Sequence, residues 1–359
     1  MKFICSIMVA ILLLASSCSN SYCPSLEKVI TVEENDFYEI SLSELKSKEI
    51  NLGLVGIVGV RYCDSLLVIT TSGEGVDRLL HLYDRYCLES KGDFFTKGRG
   101  PKELLFPLFG SSLCLDKESG SYMMRFVDRY TNRFVEVNLS ESIIKEEAVL
   151  KEREFKNGEE LFTALPLDGS RCFMKRMVKK GTCLERYIKN AEGIESMSPS
   201  MIRLNSYQIG KNDGYNINLF SGVVGYNSSR QLIVEAMCLL NLVQVYPVDG
   251  DGDYTLCYGK TMPDIRVLEK QSPQLSTYHT NLSLNDSYFS VMYIDESAGG
   301  DTKEIHGYSW DGSPLFRIPL PSIITKYDID CKTGSLLTID DEDHILEYNI
   351  EYLKSLRID

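Results

Sequence analysis

The sequence predicts an all-β chain folded as a six-bladed β-propeller, and three observations carry that expectation. Strand-like runs separated by turn residues recur along the chain, whereas helical periodicity is scarce. Inner apolar runs begin near Ser65, Ser121, Ser170, Arg230, Ser287 and Gly334, at steps of 47 to 60 residues. A strand-built period of about 50 residues points to propeller blades rather than solenoid coils, and six units lie within the known blade range. One blade cannot bury both of its faces alone, so closing the ring supplies the core and hides the strand edges.

The units share one pattern. "DSLLVITT" (64–71) leads through "RLLHLYD" (78–84) to "DFFTKGRG", and "SYMMRFVD" (121–128) leads to "RFVEVNL" (133–139). "DGSRCFMKRMV" leads to "CLERYI", and "SRQLIVEAM" to "NLVQVYPVDGDGDYTLCYG". "NDSYFSVMYID" leads to "KEIHGYSWDGSPLFRIPL", and "TGSLLTID" to "HILEYNI". Each opens on a polar turn, continues as an apolar strand, turns again and ends in a Tyr- or Val-rich strand. In the fifth unit Asp311-Gly312 is a tight-turn dipeptide flanked by alternating apolar residues. Residues 194–216, long and polar, are expected to form a loop insertion. A β-sandwich, the main alternative beside two unrelated β domains, would space its turns more closely and regularly.

Composition excludes some function classes. The 359 residues are 43% hydrophobic, enough for a sizeable core. The net charge of −13 supplies no basic footprint, so nucleic acid is not an expected partner. The 21 tyrosines suit strands in which the ring packs and the hydroxyl reaches water.

The first residues, "MKFICSIMVAILLLASSC", read as a secretory signal. Lys2 is the positive start, Phe3 to Leu14 is apolar but too short to span a membrane, and Ala15, Ser16 and Ser17 are small. These residues run into Cys18 and resemble a bacterial lipobox, although Ala15 stands three before the cysteine where Leu is usual. The resemblance implies a signal peptide over residues 1–17, cleavage before Cys18 and its lipidation, a lipidated tether over 18–30 and a single propeller domain over 31–359. No acidic cluster follows Cys18, which favours the periplasmic side and a lipid-anchored place in the periplasm or at the outer membrane. Of 11 cysteines, nine lie beyond Cys18, with no C-x-x-C pair. Most sit inside strand-like runs and read as core thiols; Cys172 and Cys183 flank an expected hairpin and are candidates to pair.

The lipoprotein signal, the six units, "KGRGPKEL" after the first and "YSWDGSP" in the fifth together resemble the six-bladed, TolB-like propeller lipoproteins of Bacteroidetes. The resemblance covers nearly the whole mature chain, and its most specific part is the Gly-Arg-Gly-Pro-x-Glu element. It implies the fold and a cell-envelope location, and no particular activity.

That element supplies the candidate binding residues Gly98, Arg99, Gly100, Pro101 and Glu103. It is not a phosphate loop, because Pro101 follows Gly100 and no helix pattern opens there. It reads as a turn at an inter-blade crossing, with positive φ expected at Gly98 and Gly100 and the exit direction set by Pro101. Arg99 either pairs with a Glu or Asp of a neighbouring blade or reaches the channel mouth.

Catalytic signals are sparse. His81, His279, His306 and His344 show no metal-binding spacing, and there is no G-x-S-x-G elbow. The architecture resembles that of calcium-dependent lactonases, for which Asp128, Asn227 and Asp286 are candidate ligands. "DGDGD" (249–253) lacks the Gly and Glu of a calcium loop and reads as a hairpin tip. The expected function is non-catalytic: a monomeric envelope propeller that engages a protein, peptide or glycan at its channel face and meets the membrane only through its lipid. No cofactor is expected; the alternative is a calcium-dependent hydrolase or lactonase.

Overall fold

In the computed structural model the described residues are 28–109, 113–115, 120–131, 133–154, 161–178, 183–206, 219–259, 276–295 and 302–356. The signal, Cys18 and most of the tether lie outside them. Six antiparallel sheets follow one another around an axis. Their first strands are Ile57–Cys63, Pro107–Leu108 with Leu113–Leu115, Leu161–Pro166, Gly222–Asn227, His279–Leu284 and Ile324–Asp330. Each lies beside the next, and the sixth beside the first, so the ring is closed.

The six apolar runs located by periodicity are the second strands, not the innermost ones: Leu66–Thr71, Tyr122–Asp128, Cys172–Val178, Leu232–Met237, Tyr288–Asp295 and Ser335–Asp340. A second strand is covered by a neighbouring blade on both faces, so it reads as a continuous apolar run; all six residues of Leu66–Thr71 are buried. The first strands line the channel with one face and are correspondingly mixed.

Six clusters of buried residues occupy the six seams between blades. That between blades 3 and 4 also encloses a fully buried ionic group. Glu235 accepts Lys175 Nζ at 2.6 Å, Arg186 Nε at 2.7 Å and the Tyr246 hydroxyl at 2.8 Å, while Lys175 also donates to Phe220 O at 2.7 Å. Burial alone would raise the Glu235 carboxyl, but the adjacent Arg186 and Lys175 charges outweigh it and hold the group well below its ordinary range.

The N-terminal segment binds three blades. Val29–Val32 adds in parallel to the outer strand of blade 4, and Tyr38–Glu39 in parallel to that of blade 5. Ser47–Ile50 supplies the missing outer strand of blade 6, pairing antiparallel with Ile345–Asn349. The chain's beginning thus completes its last blade. At Gly312 (φ +91°) a Cβ would stand 2.7 Å from Ile30 Cδ1, so the Asp311-Gly312 turn needs glycine both for its conformation and for the strap against it.

Two expectations are corrected. Within 194–216 the described part is not a plain loop: a helix, Pro199–Ser206, packs outside blade 3, where the fourth strand, Glu195–Ser196, is only two residues long. Asn205 pairs with the backbone N–H and C=O of Arg186, at 2.7 and 2.8 Å, in place of a longer strand. Cys172 and Cys183 do not pair, because the register sets Cys172 opposite Lys189 and Cys183 opposite Val178, at opposite ends of the hairpin. The 249–253 segment is a hairpin tip, as expected; buried Asp253 there accepts the Ser200 N–H at 2.6 Å.

Two outcomes follow from the seams. Ile50→Ala, at the closing strand, should lower stability by about 2–4 kcal/mol in denaturant titration. Because the Glu235 carboxyl is depressed from 4.5, its contribution is present above that pH and is lost as pH falls towards 2. Acid titration of Glu235→Gln should therefore lack that loss while starting about 3–5 kcal/mol less stable, since two buried cations lose their partner.

Candidate functional site

The crossing from blade 1 to blade 2 begins at the outer strand Ser90–Phe94 and must return to the axis. Phe95 makes the turn: it is buried, with φ 60°, a left-handed conformation rare for a bulky side chain. Thr96–Lys97 then pairs in parallel with Glu103–Leu104, so 98–102 forms a closed loop. Inside it the Gly98 N–H donates to Leu104 O and the Glu103 N–H to Gly100 O, both at 3.1 Å. The Glu103 carboxylate folds back over the loop and accepts the Gly100 N–H at 2.7 Å.

The glycines are needed for closeness rather than for positive φ. Neither Gly98 nor Gly100 has a left-handed φ; Lys102 does, at 63°. A Cβ at Gly98 would overlap the Glu103 carboxylate, and one at Gly100 would stand 2.9 Å from it. Arg99 is exposed and has no polar partner among the described residues, so the clasp of this loop is Glu103 and not an Arg99 ion pair. Pro101 is exposed, and Lys102 reaches Glu147 at 2.7 Å.

Behind the loop stands Asp128, fully buried at the end of a second strand. Its carboxylate accepts the Phe106 N–H at 2.8 Å and the Leu105 N–H at 3.1 Å, together with Thr131 Oγ1 at 2.7 Å and Arg133 Nη2 at 3.3 Å. Arg133 also donates to Glu103 O at 2.6 Å. Glycine loop, Arg133 and Asp128 thereby fix residues 105–106 without a regular strand.

Residues 105–109 wall a cavity of about 630 Å³ at the channel mouth, shared with Val58, Thr70, Leu79, Ala164 and Val224. It lies on the face that carries the inter-blade crossing and the turn after the second strand of blade 1. Phe106, 45% exposed, lines it, and the ring of Tyr130, 71% exposed, packs on Phe106 with centroids 5.4 Å apart. A second cavity of about 230 Å³ adjoins it across the channel, sharing Val58, Thr70, Phe109 and Val224 and lined further by Arg61, Asn281 and Lys326. Among the described residues the charged ones lining the two are Lys97, Arg61 and Lys326, with no Asp or Glu.

Arg61 is held by Asp328 Oδ1 at 2.7 Å and by Leu282 O at 2.5 Å. Lys326 is half-buried with no ion-pair partner among the described residues; burial, and then the nearby Lys303 charge, pull its ammonium below its ordinary range. None of the three cations stood out in the sequence; Arg61 and Lys326 lie on the first strands of blades 1 and 6.

Of the candidate calcium ligands, Asn227 and Asp286 meet at one hydroxyl, and Asp128 has other partners. Asp128 serves backbone amides, whereas Asn227 holds the turn at Arg230 and, with Asp286, binds Ser229 Oγ. The histidines are scattered: His81 bridges Thr71 and Asp93, His279 bonds Met237 O, His306 bonds Glu304 and His344 bonds Asp340.

No protein-family model matches the chain, and no curated protein matches it. Solved structures do. A protein of Bacteroides fragilis whose name calls it exported aligns over 89% of this chain and 99% of its own, with 13% identity and a TM-score of 0.55. A member of the DUF4221 family from Bacteroides vulgatus aligns over 85% and 96%, with 11% identity and a TM-score of 0.55. At these identities the likeness is one of fold.

Removing Asp128 and removing Arg99 should differ sharply. Asp128→Ala strands two backbone N–H groups and should cost about 2–4 kcal/mol in melting or denaturant titration. Arg99→Ala should stay within about 0.5 kcal/mol of the parent protein. A large loss for Arg99→Ala would restore Arg99 as the clamp.

Proposed function

We propose that the protein is a non-catalytic binding propeller of the cell envelope that engages a peptide, glycan or protein partner at its channel face. The observation that carries this reading is the 630 Å³ cavity at the crossing face, walled by 105–109 with the rings of Phe106 and Phe109 in its lining. Its size suits a small ligand or a projecting group of a larger one. Its wall is fixed in advance by Asp128 and Glu103, which reduces the ordering cost of binding. Gly98, Gly100 and Glu103 act as the scaffold of that wall, and Arg99 and Pro101 as exposed points of contact beside it.

The envelope address rests on the signal-like residues 1–17 and on Cys18 as the lipid-bearing residue. Fold neighbours include a Bacteroides protein named as exported, which agrees with export from the cytoplasm. With Cys18 lipidated, ten residues would separate the lipid from the strap at Val29, and the TolB-like lipoprotein resemblance fits that layout. We take the working form to be a monomer. The calcium-dependent hydrolase reading has less support, because the cations Lys97, Arg61 and Lys326 that line the cavities repel a divalent cation.

Peptide and glycan arrays probed with the protein and with Leu108→Trp, which fills the cavity from a half-buried wall position, test the reading. At least one ligand class should bind the parent and lose about tenfold or more in the variant while circular dichroism is unchanged. Binding indifferent to Leu108→Trp would place the site elsewhere. Calcium-dependent turnover of lactones would replace binding with hydrolysis.

A further inference from the structure

The two adjoining cavities differ in chemistry. The larger, against blades 1 to 3, is apolar apart from hydroxyls and Lys97 at its mouth. The smaller, against blades 4 to 6 and blade 1, presents Arg61, Lys326, Asn281 and Thr280. The chain carries a net charge of −13, yet every charged side chain lining this space among the described residues is positive. In such a chain cations gathered at one lining are not the composition's default, and low-dielectric walls focus their field.

The cations are not equivalent. Arg61 is engaged by Asp328, which is itself further occupied by the Tyr62 N–H at 2.8 Å and the Ser283 hydroxyl at 2.6 Å. Lys97 is exposed and strongly hydrated. Lys326 is half-buried without an ion-pair partner among the described residues, an arrangement that costs stability unless something compensates it. A bound anion would do so and would gain a charge-assisted bond in a partly desolvated place.

Resting on the channel-face reading above, we infer that the ligand is a small amphiphilic anion, with an apolar or aromatic body against 105–109 and Leu79 and an acidic head across the channel on Lys326. The shape of the space sets this orientation, since the apolar wall and Lys326 lie on opposite sides of the shared residues Val58, Thr70, Phe109 and Val224. A neutral apolar ligand would leave Lys326 uncompensated, and a hydrophilic anion would leave the larger cavity unused.

The test uses two fluorescent probes with the same aromatic body, anilinonaphthalenesulfonate and phenylnaphthylamine, which differ in the sulfonate. The full chain should bind the anionic probe at one per molecule and more tightly than the neutral one. Lys326→Met should weaken the anionic probe about tenfold and leave the neutral probe within about twofold. Its melting temperature should be unchanged or raised, because the substitution removes a half-buried charge with no ion-pair partner among the described residues. Equal binding of both probes with no effect of Lys326→Met would overturn the anion assignment while leaving the cavity reading intact. Loss of the anionic probe in Lys97→Met but not in Lys326→Met would overturn the placement of the head. Failure of both probes to bind would contradict the cavity reading itself.

Discussion

The seam where the ring closes is the constraint on which the rest depends. Blade 6 has only three strands until Ser47–Ile50 arrives from the other end of the chain. The joint with blade 1 combines an apolar cluster with a set of polar bonds. Asp343 accepts the Gly56 and Ile57 N–H groups at 2.6 and 3.0 Å, Asp328 takes Arg61, the Tyr62 hydroxyl donates to Glu347 at 2.7 Å, and Arg85 reaches both Asp330 and Thr333. Most of these groups are partly or wholly buried, where hydrogen bonds are stronger and their loss is costlier. A ring opened here would expose the apolar faces of this seam and the edge of blade 6 that Ser47–Ile50 covers, so closure couples the two ends of the propeller.

Closure explains why the channel face can carry a site. The inner strands are held at fixed distances around the axis, and the crossing over 95–106 is pinned from beneath by Asp128 and from within by Glu103. Rigid walls are thus made from residues with almost no regular hydrogen-bond ladder of their own. The non-glycine left-handed residues at Phe95 and Lys102 belong to this crossing, in keeping with strain being tolerated where the surroundings over-determine the backbone.

Much of the architecture was legible in the sequence, for a reason visible in the second strands. They are enclosed on both faces, so their apolar runs are continuous and recur at blade spacing. The first strands were hidden by their environment. In Ile57–Cys63 only Ile57 and Val60 are buried, and the intervening residues face the channel or solvent, so the segment resembles a loop. The parallel strap at 29–39 left no periodic mark, because strands of two to four residues are too short to show one.

The site was legible in part. Gly98, Gly100 and Pro101 announced a turn, but the physical demand is the carboxylate of Glu103 lying over the glycines, which no dihedral rule reveals. Asp128 looked like any acid at a strand end until its position beneath Leu105 and Phe106 was seen. Of the buried charges, Glu235 interrupts an apolar strand, and that interruption was a signal, whereas Lys175 and Arg186 stand beside other charged residues and look like solvated positions. Lys326 carried no such mark, since its meaning comes from residues brought beside it by closure. Amide hydrogen exchange measures that closure most directly. If the account holds, the amides of Ser47–Ile50 that pair with blade 6 and those of Leu105 and Phe106 exchange only by global unfolding. Rapid exchange of Ser47–Ile50 while the rest of blade 6 stays protected would contradict it.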